Sequence, residues 1–181
     1  SEFADSLRRR PRLETAGRVP EIYIVRNLFP IRTSFRRRQV EKRGVGNSNN
    51  RIKVLYAGTL GRAQDLSNAL YAADWARNAG VEVSLRFVGA GAARSSLRDL
   101  ARELKLDVEF LPRAEADELD VHYEWADTAL VHLAPWQPLE MTVPSKLYEL
   151  MSIGMHISGV LAGEAAQLLE KLQAGDVVAP G

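Results

Sequence analysis

From residue 51 to its end the chain alternates short apolar, β-branched runs with polar stretches whose apolar residues recur at helical spacing. That alternation limits the choice of fold more than any other feature. Residues 52–57 (IKVLYA), bounded by Gly58, read as a strand buried on both faces. Leu66, Ala69, Leu70, Ala73 and Ala76 then mark a helix, with Asp65 placed to cap it and Gly80 to end it. Residues 81–88, 108–111, 128–133, 156–160 and 176–178 are predicted strands. Between them helices are expected behind Ser95 and Ser96, around Leu119 and Tyr123, over 145–153 and over 164–172. Such regular alternation implies an α/β fold built on a doubly wound parallel sheet. Ligands of these sheets sit beyond the carboxyl ends of the strands. Chemistry is therefore sought in residues 58–62, 89–91, 111–114, 134–145 and 161–163.

A chain of 181 residues suits one domain with a sizeable core. It lacks Cys, which excludes disulfides, thiol nucleophiles and Cys-based zinc sites and suits a cytoplasmic setting. No apolar run reaches the length of about 18 residues that a membrane-spanning helix needs. Charge is uneven: residues 1–51 hold 13 Lys and Arg against 5 Asp and Glu. Residues 1–20 read as an Arg-rich linker and 21–181 as the folded domain, with a short strand at 21–25 and a loop at 41–50. The arginines suit contact with a further domain or with an anionic membrane surface. They lack the interleaved aromatic residues of a nucleic-acid binder, so no nucleic-acid partner is expected.

The turn Gly58-Thr59-Leu60-Gly61-Arg62 brings glycines and backbone amides to a helix start, an arrangement that suits phosphate, although its spacing is not that of an NTPase P-loop. Gly89-Ala90-Gly91 begins like a dinucleotide fingerprint, but Arg94 stands where its third glycine belongs. Close approach to a ligand and a tight turn explain Gly89 and Gly91 equally well. In the fourth loop Pro144 favours a first helical turn and Ser145 can cap it. Lys146 offers charge to a diphosphate, and Glu149, one turn from Ser145, can accept hydrogen bonds from a ribose diol. The plain alternative is a solvent-facing Lys and Glu on an amphipathic helix. His122, His132 and His156 show no zinc-ligand spacing, and no G-x-S-x-G elbow is present.

Several blocks then coincide with one known pattern: Tyr56-Ala57-Gly58-Thr59-Leu60-Gly61-Arg62-Ala63-Gln64, Phe87-Val88-Gly89-Ala90-Gly91, Trp125-Ala126-Asp127, Pro144-Ser145-Lys146-Leu147-Tyr148-Glu149 with Gly154, and Gly175-Asp176-Val177-Val178. From about Val19 to Gly181 the chain resembles the C-terminal, donor-binding domain of family 4 GT-B glycosyltransferases, closest to the bacterial group that builds surface polysaccharides and lipid-linked sugars. The resemblance implies a Rossmann-like domain, one half of a GT-B architecture, with the N-terminal acceptor domain and final helix lying outside this sequence. It implies retaining transfer of a sugar from a nucleoside-diphosphate donor, UDP-sugar favoured, without a metal or other cofactor. The acceptor would be a glycan or lipid-linked sugar at the inner face of the membrane, and the fragment alone would not turn over.

By the same resemblance Gly58, Thr59, Gly61, Ser145 and Lys146 would hold the diphosphate, and Glu149 the ribose. Phe110, Leu111 and Pro112 would lie beside the base, with Gly89, Gly91 and Glu140 as weaker candidates. Many relatives carry an E-x-x-x-x-x-x-x-E pattern ending at the ribose Glu; its first place here is Met141, with Glu140 one residue off register. Thr59 and Gln64 stand where Arg and Lys are common, and His156 where Pro follows the glycine. A subgroup shares the losses at Met141, Thr59 and Gln64, and Lys146 would then supply the charge. The alternatives are half of a sugar-nucleotide epimerase, or a non-catalytic module that uses its Arg-rich start to hold a membrane or a partner.

Overall fold

The computed structural model describes residues 51–181. The linker expected at 1–20, the strand at 21–25 and the loop at 41–50 lie outside these residues. The elements run β1 Arg51–Ala57, a 3₁₀ turn Arg62–Gln64, α1 Leu66–Asn78, β2 Glu82–Val88, α2 Arg94–Glu103 and β3 Val108–Leu111. They continue α3 Asp120–Trp125, β4 Thr128–His132, α4 Gln137–Glu140, α5 Ser145–Ser152, β5 Ile157–Val160, α6 Gly163–Leu172 and β6 Gly175–Val178.

All six strands are parallel, in the order β3-β2-β1-β4-β5-β6, so the expected doubly wound sheet is present. β1 pairs with β2 along its whole length, from Arg51 opposite Glu82 to Ala57 opposite Val88. It meets β4 only at Val54–Thr128 and Leu55–Ala129. Asp127 of the Ala-Asp block reinforces that short join. Its carboxylate accepts the Lys53 amide at 2.9 Å, and its own amide donates to the Lys53 carbonyl at 2.8 Å.

The strand period divides the apolar side chains between two layers. Leu55, Ala57, Ala129, Val131 and Ile157 meet Tyr123, Leu147, Leu150, Ala165 and Leu169 of α3, α5 and α6 on one face. Tyr56, Leu85, Phe87 and Leu130 meet Leu66, Leu70 and Ala73 of α1 and Leu97 and Ala101 of α2 on the other. Each fully buried Leu contributes roughly 2 kcal/mol. All of β4 is buried, which places the carboxyl end of the central strand under the site loops.

Several local expectations change; α2, for one, begins at Arg94, so Ser95 and Ser96 lie inside it rather than before it. Asp65 occupies the cap position of α1, but it adopts a left-handed conformation at φ 39° and caps no amide with its side chain. Its carboxylate accepts the Ser67 hydroxyl at 2.7 Å instead. At α5 Pro144 takes the cap position, and Ser145 is the first helical residue, exposed and without a cap bond. The 3₁₀ turn and α4 were not anticipated, because three or four residues are too short to show a period.

Candidate functional site

The chain steps from β1 to β2 on one side and reaches β4 on the other, so the order reverses between β1 and β4. A crevice at such a reversal, beyond the carboxyl ends, is the usual ligand position of this kind of sheet. The β1 turn occupies one wall. Gly58 donates its amide to the Val88 carbonyl (3.0 Å) and Leu60 to that of Ala90 (2.9 Å), so the turn continues the β1–β2 ladder past the strand ends. In extended chain successive amides point to opposite sides. Those of Thr59 and Gly61 accordingly point away from β2, and among the described residues neither has a protein partner. Of the three residues expected to hold phosphate here, Thr59 and Gly61 keep an amide available, whereas that of Gly58 is committed to the sheet. The buried Tyr56 hydroxyl donates to the Thr59 carbonyl at 2.8 Å and fixes the turn from beneath. Burial also raises the pKa of that phenol.

Gly89 and Gly91 are explained by the same packing. A Cβ on Gly89 would stand 1.9 Å from the Gly58 carbonyl oxygen, and one on Gly91 2.1 Å from that of Leu60. The backbone that approaches them is this chain's own. Arg94 fills the place of the third fingerprint glycine with a guanidinium. It donates to the carbonyls of Gly89 (2.6 Å), Leu111 (2.9 Å) and Phe110 (3.0 Å), binding the carboxyl ends of β2 and β3 together. Phe110 is half-buried edge-on to Phe87, while Pro112 is exposed beyond it. Glu109 faces solvent and pairs with Arg86, so it does not serve as a ribose acid of the dinucleotide type.

The opposite wall comes from the loop after β4. The Ala134 amide donates to the Ala63 carbonyl at 2.8 Å, joining this loop to the turn after β1. A hollow of about 450 Å³ lies nearby, lined in part by Gly61, Arg62, Asp65, Ala134 and the half-exposed Trp136. Glu140 stands elsewhere. Its backbone packs on Gly163, where a Cβ would meet the Glu140 carbonyl at 2.0 Å, beside a smaller hollow of about 140 Å³ that Leu133, Ala162 and Pro180 help to line. Its side chain is exposed, and Met141 is only partly buried.

Glu149 is the most unusual residue of the site. The solvent-facing alternative for this helix does not hold, since Glu149 is only 5% exposed and is the one carboxylate among the buried side chains described. One oxygen, Oε2, accepts from Lys146 Nζ at 2.5 Å, and the other, Oε1, accepts from the buried Tyr123 hydroxyl at 2.7 Å. Lys146 thus carries its charge beside this carboxylate in the first turn of α5, where the Leu147 amide donates to the Pro144 carbonyl at 3.0 Å and the amides of Ser145 and Lys146 precede the first helical bond. Ser145 lies exposed at that end. No hydrogen bond among the described residues links Ser145, Lys146 or Glu149 to the β1 turn, and neither hollow is lined by any of these three; the two groups have in common that each follows the carboxyl end of a central strand, β1 or β4.

His132, at the end of β4, is 2% exposed, with Nε2 3.2 Å from the Asn68 carboxamide oxygen. Burial lowers its pKa, against an opposing pull from Asp65. Its place directly beneath the crevice was not evident from the sequence, where it is one apolar-strand residue among others. His122 leans on Arg86, and His156 bonds the Thr128 hydroxyl at 2.9 Å. Among the described residues no group of three or more His, Asp or Glu gathers as metal ligands would.

Comparison with solved structures agrees with this fold. The apo form of the lipopolysaccharide outer core galactosyltransferase WaaB matches with a TM-score of 0.58 at 20% identity, over 72% of this chain and 36% of that one. Anabaena HepE in complex with UDP matches with a TM-score of 0.58 at 21% identity, over 73% and 36%. Sucrose-phosphate synthase from Thermosynechococcus elongatus gives 0.58 at 21%, over 71% and 32%. These likenesses establish the fold, and the chain spans about a third of the length of each protein. No curated protein sequence matches significantly. The model of the family described as glycosyl transferases group 1 matches residues 37–181, most of the sequence. With the GT-B-type sheet, its switch-point crevice and this match in agreement, the chain belongs to the group 1 glycosyl transferase family.

Proposed function

We propose that this chain is the donor-binding half of a retaining glycosyltransferase that takes its sugar from a nucleoside diphosphate. The observation that carries the reading is the pair of amides at Thr59 and Gly61, outside the sheet ladder and without a partner among the described residues. Two such donors, with the open amino end of α5 and Lys146 across the crevice, match a diphosphate in charge and in hydrogen-bonding type. Gly58 contributes by shaping the turn and Ser145 by its amide. Glu149 accepts from the ribose diol, and the edge of Phe110, Leu111 and Pro112, braced by Arg94, lies beside the base. Gly89 and Gly91 act indirectly, by letting the turn lie close.

Catalysis on this reading is mainly positioning together with stabilisation of the charge that grows on the leaving diphosphate. Front-side displacement fits that division of labour, because it asks no nucleophile of this half. Acceptor binding falls to a second domain, in keeping with the third of its relatives' length that this chain spans. HepE was solved with UDP, which favours uridine as the base. A glycan or lipid-linked acceptor at the inner membrane face completes the proposal, and none of the described helices is long and apolar enough to cross a membrane.

Calorimetric titration with UDP, GDP and ADP tests the reading. One nucleotide should bind selectively, and Glu149→Ala should weaken it. Equal, weak binding of all three, unaffected by the substitution, would reject the assignment.

A further inference from the structure

Burying a carboxylate costs several kcal/mol unless both oxygens find partners. Glu149 meets that condition with two donors of different origin. Lys146 comes from the same helix, three residues earlier, and its side chain is 29% exposed, close to where a diphosphate would lie. Tyr123 comes from α3, on the crossover between β3 and β4, and is 0% exposed. A Lys can be drawn towards a second anion, whereas a phenol locked in the core cannot follow. A terminal carboxylate torsion is broad and roughly two-fold, so its plane is set by its hydrogen bonds. An ionised carboxylate offers about four lone-pair positions. The bonds to Tyr123 and Lys146 engage both oxygens, so the direction from which a vicinal diol would meet the carboxylate depends on where these two donors hold it.

We infer that Tyr123 is a positioning residue for ribose recognition: its hydroxyl fixes the plane of the Glu149 carboxylate and thereby sets the preference for ribonucleotides over deoxyribonucleotides. This rests on the reading of Glu149 as the ribose acceptor. A purely structural Tyr123 would add to stability and leave sugar discrimination alone.

The test uses the ratio of affinities for UDP and for 2′-deoxy- and 3′-deoxy-UDP, measured on the wild-type chain, Glu149→Gln and Tyr123→Phe. Tyr123→Phe should weaken UDP roughly tenfold, the size of one hydrogen bond to a charged group. Affinity for the analogue that lacks the recognised hydroxyl should change little, so the ratio collapses towards one. Incorporating 4-aminophenylalanine, which restores a donor, should restore the ratio. If Tyr123→Phe does not fold, 4-fluorophenylalanine at the same position keeps the volume without the donor. Full discrimination in the donor-less variant, beside its loss in Glu149→Gln, overturns the inference and leaves the ribose reading standing. Discrimination that survives in Glu149→Gln, or is absent in the wild-type chain, overturns both.

Discussion

Replacing Gly91 by Ala puts a methyl group into space already taken by backbone. The added Cβ would stand 2.1 Å from the Leu60 carbonyl oxygen, 2.5 Å from its carbon and 2.8 Å from its nitrogen. Ordinary contact begins near 3.4 Å, so the β1 turn and the β2 loop must part by more than an ångström. Two hydrogen bonds cross that contact, from Leu60 N–H to the Ala90 carbonyl and from Ala93 N–H to the Leu60 carbonyl, both at 2.9 Å. Parting the chains stretches both beyond useful length. At about 1 kcal/mol each, with about 1–3 kcal/mol for overpacking, the loss comes to about 3–5 kcal/mol. For a chain of this size that corresponds to a fall of about 10 °C in Tm. Gly154→Ala is the control: nothing lies within 4 Å of its added Cβ, and only its φ of +68° opposes the change. That conformation costs about 1–2 kcal/mol, a shift of a few degrees. Thermal unfolding followed by circular dichroism compares the two. A Gly91→Ala protein that melts no lower than Gly154→Ala would refute the packing argument. Nucleotide affinity should fall with Gly91→Ala as well, because the Thr59 and Gly61 amides move with the turn.

Arg94→Met removes three guanidinium bonds to the carbonyls of Gly89, Phe110 and Leu111, and should cost about 2–4 kcal/mol by urea unfolding. It should also blunt the choice among UDP, GDP and ADP in titration, since the base edge loses its brace. His132 binds a proton less readily in the folded chain than at the unfolded value of 6.5. Its contribution is therefore complete above that pH and is lost as pH falls through the lower folded value. Tm should drop as the pH falls below the unfolded value of 6.5, and the drop should be smaller in His132→Gln; His122, whose pKa is also lowered, supplies part of the remainder. Supplied with the nucleotide sugar that it binds and a candidate acceptor, the chain should give no transfer above background by product chromatography. Robust turnover would show that the acceptor half is dispensable.

The strands were legible because each is a short apolar run between turn residues, and two-sided burial leaves little room for another pattern. Helix starts were less so. Asp65 has the right chemistry for a cap, but a hydroxyl two residues on claims its carboxylate, and Ser145 yields the cap position to a proline whose fixed φ suits that place. Gly89 and Gly91 carried two explanations that only three dimensions could separate, as the approaching backbone lies some thirty residues earlier in the sequence. The site was legible as a list of types, not as an arrangement. That Glu149 would be buried follows from Tyr123 reaching it from α3, and spacing within α5 contains no trace of that contact. A usable signal existed: a Tyr on the apolar stripe of a helix must find a partner for its hydroxyl.

The short join between β1 and β4 divides the sheet into two leaves. One, β3-β2-β1, is tied by the full-length β1–β2 ladder, and the other is β4-β5-β6. Both core layers continue across this seam, so its amides should exchange with solvent through a smaller opening than those inside either leaf only to the extent that the ladder there is short. A nucleotide lying across the crevice would touch Thr59 on one leaf and Lys146 on the other, and so act as a clasp. Its binding energy would appear as slowed exchange along the whole seam, at amides far from any atom of the ligand.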